Sequence, residues 1–236
     1  VEVQRFSNGS WLEEAILPGT DTSYTDPNLV CNQAYTYRVK YYEAGGADTS
    51  ISDSVTVRPF DTVSPQTPSI APTTTLTDSK IKTSWTASSG DVDRYVVYRG
   101  DGNGNFSAQD TLQSRTDTTY TDSFNSPVNR SYCYKVKAID SCADNQSPLS
   151  TEDCSIYLTA DTTGCEQQIN LSWNAYTGFD SLSSYEIYRS SDSTGSNFQL
   201  LTTLNGNTTA YTDSQVSFDT TYTYEVRAQA GGRSLT

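Results

Sequence analysis

The sequence predicts an all-β fold made of small antiparallel β-sandwiches in tandem, and three observations predict it. Short segments that alternate apolar or aromatic with polar residues are separated by turn residues, which is typical of sandwiches and barrels. Ser, Thr and Tyr are abundant, His and Met are absent, and no long helix-forming stretch occurs. Three elements also recur in one order along the 236 residues, which indicates duplication of a domain.

The recurring elements set the size of the repeat. The first element ends in arginine, the second ends in Tyr-Thr-Asp, and the third begins Tyr-x-Tyr. Copies of the first element occupy residues 1–5 (a weaker copy), 95–99 and 185–189. Copies of the second occupy residues 22–26, 118–122 and 209–213. Copies of the third occupy residues 35–39, 132–136 and 222–226. The third element starts at positions 97 and then 90 residues apart, which is the length of one sandwich domain.

Each element alternates with period two, so one side of every strand is expected to face a core and the other side water. In residues 132–136, Tyr132, Tyr134 and Val136 share one face, whereas Cys133 points to the opposite face. Large aromatic side chains at such inward positions fill the space between two sheets.

Two further alternating strands end in Trp85 and Trp173. Together with the Tyr-x-Val strands, they resemble the fibronectin type III family of immunoglobulin-like sandwiches, which has a tryptophan on strand B. The resemblance implies that Trp85 and Trp173 lie in the core. It also implies a tyrosine corner, in which a hydroxyl bonds upstream backbone, at three positions: Tyr35, Tyr132 and Tyr222.

The repeat predicts three domains. They are a partial domain with strands C to G at residues 1–60, a complete domain at 61–158, and a domain that lacks its last strand at 159–236. Trp11 is not a counterpart of the two core tryptophans, because it aligns with Phe106 on the following strand. A proline-punctuated linker at residues 61–68 separates the first two domains, whereas residues 155–158 run straight into the third domain. That second junction is expected to be stiffer than a Gly/Ser hinge.

A closer resemblance suggests a function. Residues 132–138, 154–158 and 164–173 resemble repeats in large surface proteins of Bacteroidota. This implies a non-catalytic segment of a secreted cell-surface protein, associated with adhesion or gliding motility, that acts as a structural stalk or interaction array. It implies extracellular localisation as type IX secretion cargo. The implied partners are other domains of the same long chain, type IX secretion components, surface proteins or glycans.

The alternative is that the segment supplies spacer or carbohydrate-binding modules of a secreted polysaccharide-degrading enzyme. Exposed aromatic side chains could stack on sugars, with Tyr41 and Tyr42, or Tyr176 and Phe179, as the best placed. Core or interdomain packing is the favoured interpretation of these rings.

The charge excludes several partners. A formal net charge of −13 argues against nucleic acid, because phosphate binding needs a basic stripe. It also argues against adsorption to an anionic membrane surface. No apolar run is long enough for direct membrane insertion.

Five cysteines predict disulfide bonds in a Met-free, Ser/Thr-rich exported chain. Cys133 faces outward on strand F and Cys154 lies on the expected neighbouring strand, so a Cys133–Cys154 bond fits best, and Cys142–Cys154 is the alternative. The odd count predicts that Cys31 pairs with a residue outside this sequence, and it leaves the partner of Cys165 open. Without His or a Cys-x-x-Cys pair, no zinc-type metal site is expected.

The sequence predicts no enzyme and no cofactor. The absence of His excludes a Ser-His-Asp arrangement within this segment. The acidic pairs Glu13 with Glu14 and Asp91 with Asp93 are the only candidates for paired-carboxylate chemistry, and solvated surface is the favoured interpretation.

A calcium loop is the remaining candidate site. Asp101, Asn103 and Asn105 stand at alternate positions, as in the opening of a loop whose oxygens converge on one calcium ion. The twelfth position is Leu112 rather than Glu, and the other repeats carry a polar turn at the same place. A hairpin turn is therefore favoured over calcium binding.

Overall fold

The computed structural model describes residues 1–43, 45, 48–124, 129–142, 145–162, 166–179, 181–192 and 195–230. These residues form eighteen strands and no helix, and every strand pairs antiparallel with its neighbours. The predicted all-β antiparallel fold is confirmed. Within the described part of the chain, no helix is long and apolar enough to cross a bilayer.

The chain divides into two compact units. Unit 1 consists of Val1–Ser64 and Asp140–Asn145, and unit 2 consists of Pro65–Ile139 and Gln146–Thr236. The predicted domain limits at residues 60 and 158 stay a prediction.

Unit 1 is built on a single described sheet. Its strands are β1 (Glu2–Ser7), β2 (Ser10–Ile16), β3 (Tyr35–Tyr42), β4 (Thr49–Ile51) and β5 (Val55–Val57). The order is β2-β1-β3, and both β4 and β5 pair with β3. The β1–β2 hairpin closes through Asn8 and Gly9, whose φ angles of 50° and 81° suit a two-residue turn that follows the strand twist.

The inner face of the unit 1 sheet is open. Residues 22–26, the counterpart of a strand in the other two blocks, form no strand here. In those blocks the segment pairs with a strand that precedes the arginine-ending element. Val39 is 41% exposed, whereas its counterpart Val136 in unit 2 is 0% exposed.

Unit 2 begins with a two-sheet sandwich. Its strands are β6 (Ser69–Thr77), β7 (Lys80–Thr86), β8 (Arg94–Gly100), β9 (Phe106–Leu112), β10 (Thr119–Ser123), β11 (Cys133–Ile139) and β12 (Asp153–Cys154). One sheet has the order β10-β7-β6 and the other β12-β11-β8-β9. The core between them contains Trp85, Tyr95, Val97, Tyr134 and Val136, all of them inward positions of the alternating pattern.

A second sandwich completes unit 2. Its strands are β13 (Leu158–Asp161), β14 (Ile169–Trp173), β15 (Leu182–Ser190), β16 (Gln199–Asn205), β17 (Ala210–Asp213) and β18 (Thr223–Ala230). The sheets are β13-β14-β17 and β16-β15-β18. Trp173 meets Tyr185 edge to face at 5.4 Å, as Trp85 meets Tyr95 at 5.5 Å in the first sandwich. The repeated sequence therefore produces the same core contact twice.

Two disulfide bonds connect four of the cysteines. Cys133 and Cys154 are cross-strand partners on β11 and β12 and are bonded to each other. Cys142 is bonded to Cys31, so the alternative Cys142–Cys154 pair is wrong, and so is the expectation that Cys31 pairs outside the sequence. The segment Asp140–Asn145 packs with unit 1, which brings Cys142 to Cys31. Cys165 lies outside the described residues.

We expect a non-reducing peptide map to return the pairs Cys31–Cys142 and Cys133–Cys154. Replacing Cys31→Ser together with Cys142→Ser should lower the free energy of unfolding of unit 1 by about 4 kcal/mol, because the bond closes a long loop. The matched control, Cys133→Ser with Cys154→Ser, should leave the denaturation of unit 1 unchanged. A peptide that joins Cys142 to Cys154 would contradict the assignment.

Candidate functional site

A cluster of one arginine, one aspartate and two tyrosines recurs in all three sequence blocks. The arginine ends the first element, the aspartate ends the second, and the tyrosines begin the third. We call this the repeat cluster, and its members are Arg5, Asp26, Tyr35 and Tyr37, then Arg99, Asp122, Tyr132 and Tyr134, then Arg189, Asp213, Tyr222 and Tyr224.

The contacts within the cluster are the same in each block. In the first sandwich of unit 2, the Arg99 guanidinium lies 2.6 Å from Asp122 Oδ2, and Tyr134 Oη donates to the same oxygen at 2.8 Å. The corresponding distances are 2.7 and 2.7 Å in the last sandwich, and 3.0 and 2.7 Å in unit 1. The arginine also lies above the ring of the first tyrosine, at 5.0 to 5.8 Å.

Burial and pairing set the pKa values in the cluster. Burial opposes ionisation of Asp213, but hydrogen bonds from Tyr224, the Gln215 amide and Arg189 outweigh it and hold the pKa of the carboxyl below its ordinary value. The pKa of Asp26 is lowered in the same way. Burial, followed by the hydrogen bond to Asp26, raises the pKa of Tyr37 to about 12. Asp26 and Asp213 therefore stay charged and the Tyr37 phenol stays neutral at physiological pH.

The repeat cluster is a structural latch. It joins the segment that carries the aspartate to the two strands that carry arginine and tyrosine, and so connects the two sheets of each complete sandwich. In unit 1 the repeat cluster also holds residues 22–26 against β1 and β3, although these residues form no strand. A carboxylate already occupied by two donors is poorly suited to proton transfer with a substrate.

Sequence reasoning found the arginine, aspartate and tyrosine elements separately but missed their contact. The sequence contained a signal for this contact, because the arginine, the aspartate and the two tyrosines occupy corresponding positions in each of the three blocks. A charged pair retained at corresponding positions of a duplicated domain indicates a shared ion pair.

The tyrosine corners differ between the blocks. Tyr35 Oη accepts a hydrogen bond from the Val30 amide at 2.7 Å, and Tyr222 Oη accepts one from the Ser217 amide at 3.0 Å. Tyr132 Oη instead lies 3.4 Å from Asn129 Oδ1, and residues 125–128 lie outside the described part of the chain. Tyr35, Trp85 and Trp173 are buried, whereas Tyr132 and Tyr222 are half-buried.

The calcium candidate is a hairpin turn closed by its own carboxylate. Asp101 Oδ1 accepts hydrogen bonds from the amides of Asn103 and Asn105, and Asp101 Oδ2 accepts one from Asn105 Nδ2 at 2.9 Å. The Asn105 side chain, followed by the Asn103 amide, lowers the pKa of Asp101. In the last sandwich the Asp192 carboxylate likewise accepts hydrogen bonds from the backbone amides of Ser196 and Asn197. Calcium binding, which the sequence disfavoured in comparison with a hairpin turn, stays untested at this loop.

The acidic pairs considered for catalysis do not converge. Glu14 pairs with Arg5 at 3.0 Å, and Asp93 pairs with Arg94 at 2.7 Å. Glu13 is exposed. Across the described residues, no three His, Cys, Asp or Glu side chains come close enough to hold a metal ion.

Unit 1 contains a cavity of about 480 Å³ on the inner face of its sheet. Its lining includes Val3, Leu17, Tyr24, Tyr37 and Val39. In the two sandwiches of unit 2, the strands that end in Trp85 and Trp173 pack at the corresponding face of the Tyr-x-Val sheet.

The two sandwiches of unit 2 meet at a buried aspartate. Asp153 on β12 is 0% exposed, and its Oδ2 accepts the Thr73 amide at 2.6 Å and Tyr176 Oη at 3.1 Å. Asp153 Oδ1 has no hydrogen-bond partner among the described atoms. Burial raises the pKa of this carboxyl despite the hydrogen bonds from Tyr176 and Thr73. Tyr176 is itself buried, which excludes it as a platform for a sugar.

Further contacts hold the same junction. The Tyr157 amide donates to Asn174 Oδ1 at 2.7 Å, and Asn174 Nδ2 donates to the Ser155 carbonyl at 3.3 Å. A Cβ atom at Gly178 would collide with Asp153 Oδ1 and Tyr176 Oη, so only glycine fits there. Only residues 155–157 connect β12 to β13, and the expectation that this junction is stiffer than a Gly/Ser hinge stays a prediction.

Two curated proteins are similar in sequence to this chain. No family model matches the sequence. Exoglucanase B of Cellulomonas fimi is 30% identical over 234 residues, which cover 89% of this chain and 20% of the relative. Chitinase A1 of Niallia circulans is 31% identical over 193 residues, which cover 74% of this chain and 25% of the relative. The chain thus spans between a fifth and a quarter of the length of these curated relatives.

Among solved structures, the crystal structure of the chicken CNTN1 FN1-FN3 domains is similar at a TM-score of 0.34 and 18% identity, covering 96% of this chain and 82% of that one. The fold class follows from the sheets themselves. Three-stranded sheets built around the tryptophan strand accompany sheets built around the Tyr-x-Val strands, and together they form fibronectin type III-type β-sandwiches in tandem.

Loss of a hydroxyl from the repeat cluster should destabilise its own sandwich. We expect Tyr134→Phe to lower the free energy of unfolding by about 2 kcal/mol, because a buried carboxylate loses a charge-assisted hydrogen bond. Tyr98→Phe, which changes a ring on the opposite face of β8, is the matched control and should cost much less. Equal denaturation midpoints for the two variants would contradict the stabilising role that we assign to the repeat cluster.

The two kinds of buried aspartate should have opposite pH dependence. Asp213, with a lowered pKa, stabilises the fold above its ordinary pKa of 3.8, and this contribution is lost as pH falls through the folded-state pKa. Asp153, with a raised pKa, costs stability when ionised, so its contribution is favourable below 3.8 and is lost as pH rises through the folded-state pKa.

These signs can be measured by denaturation from about pH 2 to pH 8. Relative to the wild type, Asp213→Asn should lose stability as pH rises, and Asp153→Asn should gain it. A stability difference for Asp153→Asn that does not change with pH would contradict the assignment.

Proposed function

We propose that this chain is a non-catalytic run of fibronectin type III-type sandwiches that serves as a spacer within a secreted polysaccharide-degrading enzyme. The observation that carries the proposal is the alignment with exoglucanase B, which includes 89% of this chain but 20% of the relative. A segment that matches a minor part of an enzyme, and whose described residues form antiparallel sheets and small sandwiches, is suited to separating other domains.

The side chains support a structural role. The best-placed carboxylates, Asp26, Asp122 and Asp213, each accept an arginine and a tyrosine and are used to hold strands together. The stiff junction at Asp153 suits a spacer, because a segment without a flexible hinge keeps the domains that it joins apart. The partners in this proposal are the other domains of the same chain.

An extracellular location is part of the proposal. Two disulfide bonds are typical of proteins that mature in an oxidising compartment. Enzymes named for glucan and chitin act on polymers that are met outside the cell, and both relatives carry such names.

The relatives reported above give no support to type IX secretion, gliding motility or adhesion. The proposed function therefore follows the enzyme-spacer interpretation rather than the surface-stalk interpretation that the sequence first favoured.

We expect the isolated chain to release no reducing sugar from soluble glucan or from colloidal chitin. The same chain fused to a glucanase catalytic domain should leave hydrolysis of soluble substrate unchanged. Release of sugar by the isolated chain, abolished by a single Asp or Glu substitution, would overturn the proposal, because it would place a catalytic carboxylate in this segment.

A further inference from the structure

The buried aspartate at the junction in unit 2 occupies a position where unit 1 carries another residue type. On its strand, Asp153 lies directly opposite Tyr134. In unit 1, Val55 lies opposite Tyr37, which is the counterpart of Tyr134. The strand pairing of the repeat therefore does not require a carboxylate at this position, and the reason for Asp153 has to be sought in what it contacts.

The residue that meets Asp153 from the last sandwich also differs from its counterpart. In the first sandwich of unit 2, the Ser88 amide donates to Tyr95 Oη at 2.9 Å. The last sandwich repeats this contact from the Tyr176 amide to Tyr185 Oη at 2.7 Å, so a tyrosine replaces the serine. The longer side chain reaches Asp153, to which its hydroxyl donates at 3.1 Å. Both members of the contact are thus particular to this junction.

A glycine of the last sandwich covers one oxygen of the buried carboxylate. Asp153 Oδ2 accepts two hydrogen bonds, whereas Oδ1 has no hydrogen-bond partner among the described atoms. Gly178 lies so close that a Cβ atom there would collide with Oδ1, although its counterpart Gly90 has open space at that place. We call residues 176–179 the joint segment. Because Asp153 is fully buried, displacement of the joint segment from β12 would open Oδ1 to water.

Among the described residues, the ionisable groups that packed elements turn toward Asp153 are two tyrosines. Strand β6 contains no ionisable residue and supplies the Thr73 amide. Tyr134 lies opposite on β11 and gives its hydroxyl to the repeat cluster, while the lysines of β11 alternate to the outer face. Tyr176 comes from the joint segment, and Glu152, the preceding residue, is exposed. These neighbours offer neutral donors to an ionised Asp153, which is a costly arrangement for a buried charge.

We propose that the contact between Asp153 and the joint segment is a pH-responsive joint, closed when the carboxyl is protonated and opened to water when it is ionised. The proposal rests on the proposed function and gives the spacer a regulated stiffness. Opening hydrates Oδ1 without unfolding either sandwich, because Asn174 still bonds residues 155 and 157. The two states of the joint are thus two arrangements of one short segment.

The direction of the response follows from the difference between the two states. Burial raises the pKa of Asp153 in the closed joint above the ordinary value of 3.8, whereas water restores that value in the open joint. The closed joint is therefore fully favoured below pH 3.8 and is lost as pH rises through the closed-state pKa. Burial also raises the pKa of Tyr176, so this phenol stays neutral throughout and does not oppose the response.

The test is amide hydrogen exchange of the full chain from about pH 3 to pH 8, corrected for the intrinsic rate at each pH. We expect protection of the Thr73 and Tyr176 amides to fall about tenfold as Asp153 ionises, while protection in β8 and β15 stays constant. The carbon-13 shift of the Asp153 carboxyl gives the midpoint independently. Asp153→Asn should remove the pH dependence, and Asp110→Asn, which changes an exposed carboxyl on β9, is the matched control and should behave like the wild type.

A second variant holds the joint open by sterics instead of charge. Gly178→Ala should lower protection of the Thr73 and Tyr176 amides at every pH, because its methyl group takes the place of the closed carboxylate. Protection in β8 and β15 shows that both sandwiches of the variant are folded.

Three results would overturn the joint. They are constant protection of the Thr73 and Tyr176 amides while Asp153 titrates, an unchanged pH response in Asp153→Asn, and a loss of protection that extends equally to β8 and β15. The last result would mean that ionisation unfolds the sandwiches rather than opening a local contact. The spacer function is decided separately by the hydrolysis experiment, which does not depend on the state of this contact.

Discussion

Each of the three blocks depends on a buried carboxylate whose negative charge must be stabilised by two neighbouring side chains, an arginine and a tyrosine. A charge placed inside a small sandwich is costly unless it is paired and hydrogen-bonded. Asp122 meets this requirement with Arg99 and Tyr134, which come from two different strands. The three positions are therefore bound to one another, and a change at one leaves the others as unpaired buried groups.

This constraint also commits the polar side chains of the repeat cluster to contacts with one another. The donors and acceptors of these side chains hydrogen-bond to one another. The pKa of Asp26 is lowered and that of Tyr37 is raised, so both move away from neutral pH. General acid–base chemistry needs groups whose pKa lies near the working pH. The interior of each sandwich is thus committed to holding two sheets together.

At the junction between the two sandwiches of unit 2, the cost of burying a carboxylate again competes with the hydrogen bonds that it accepts. Asp153 has two donors on one oxygen and none among the described atoms on the other, so burial dominates and raises the pKa. The contact fixes two neighbouring sandwiches to each other without a linker.

The sequence by itself determined the strands and their inward faces. Alternation with period two is a local property, so Trp85, Tyr134 and their copies could be placed in the core without coordinates. Only the tertiary structure decided that Cys142 meets Cys31 across 111 positions, that the repeated Arg, Asp and Tyr form one cluster, and that residues 22–26 form no strand. Each of these depends on which distant segments pack together, and alternation within one strand carries no information about its neighbours.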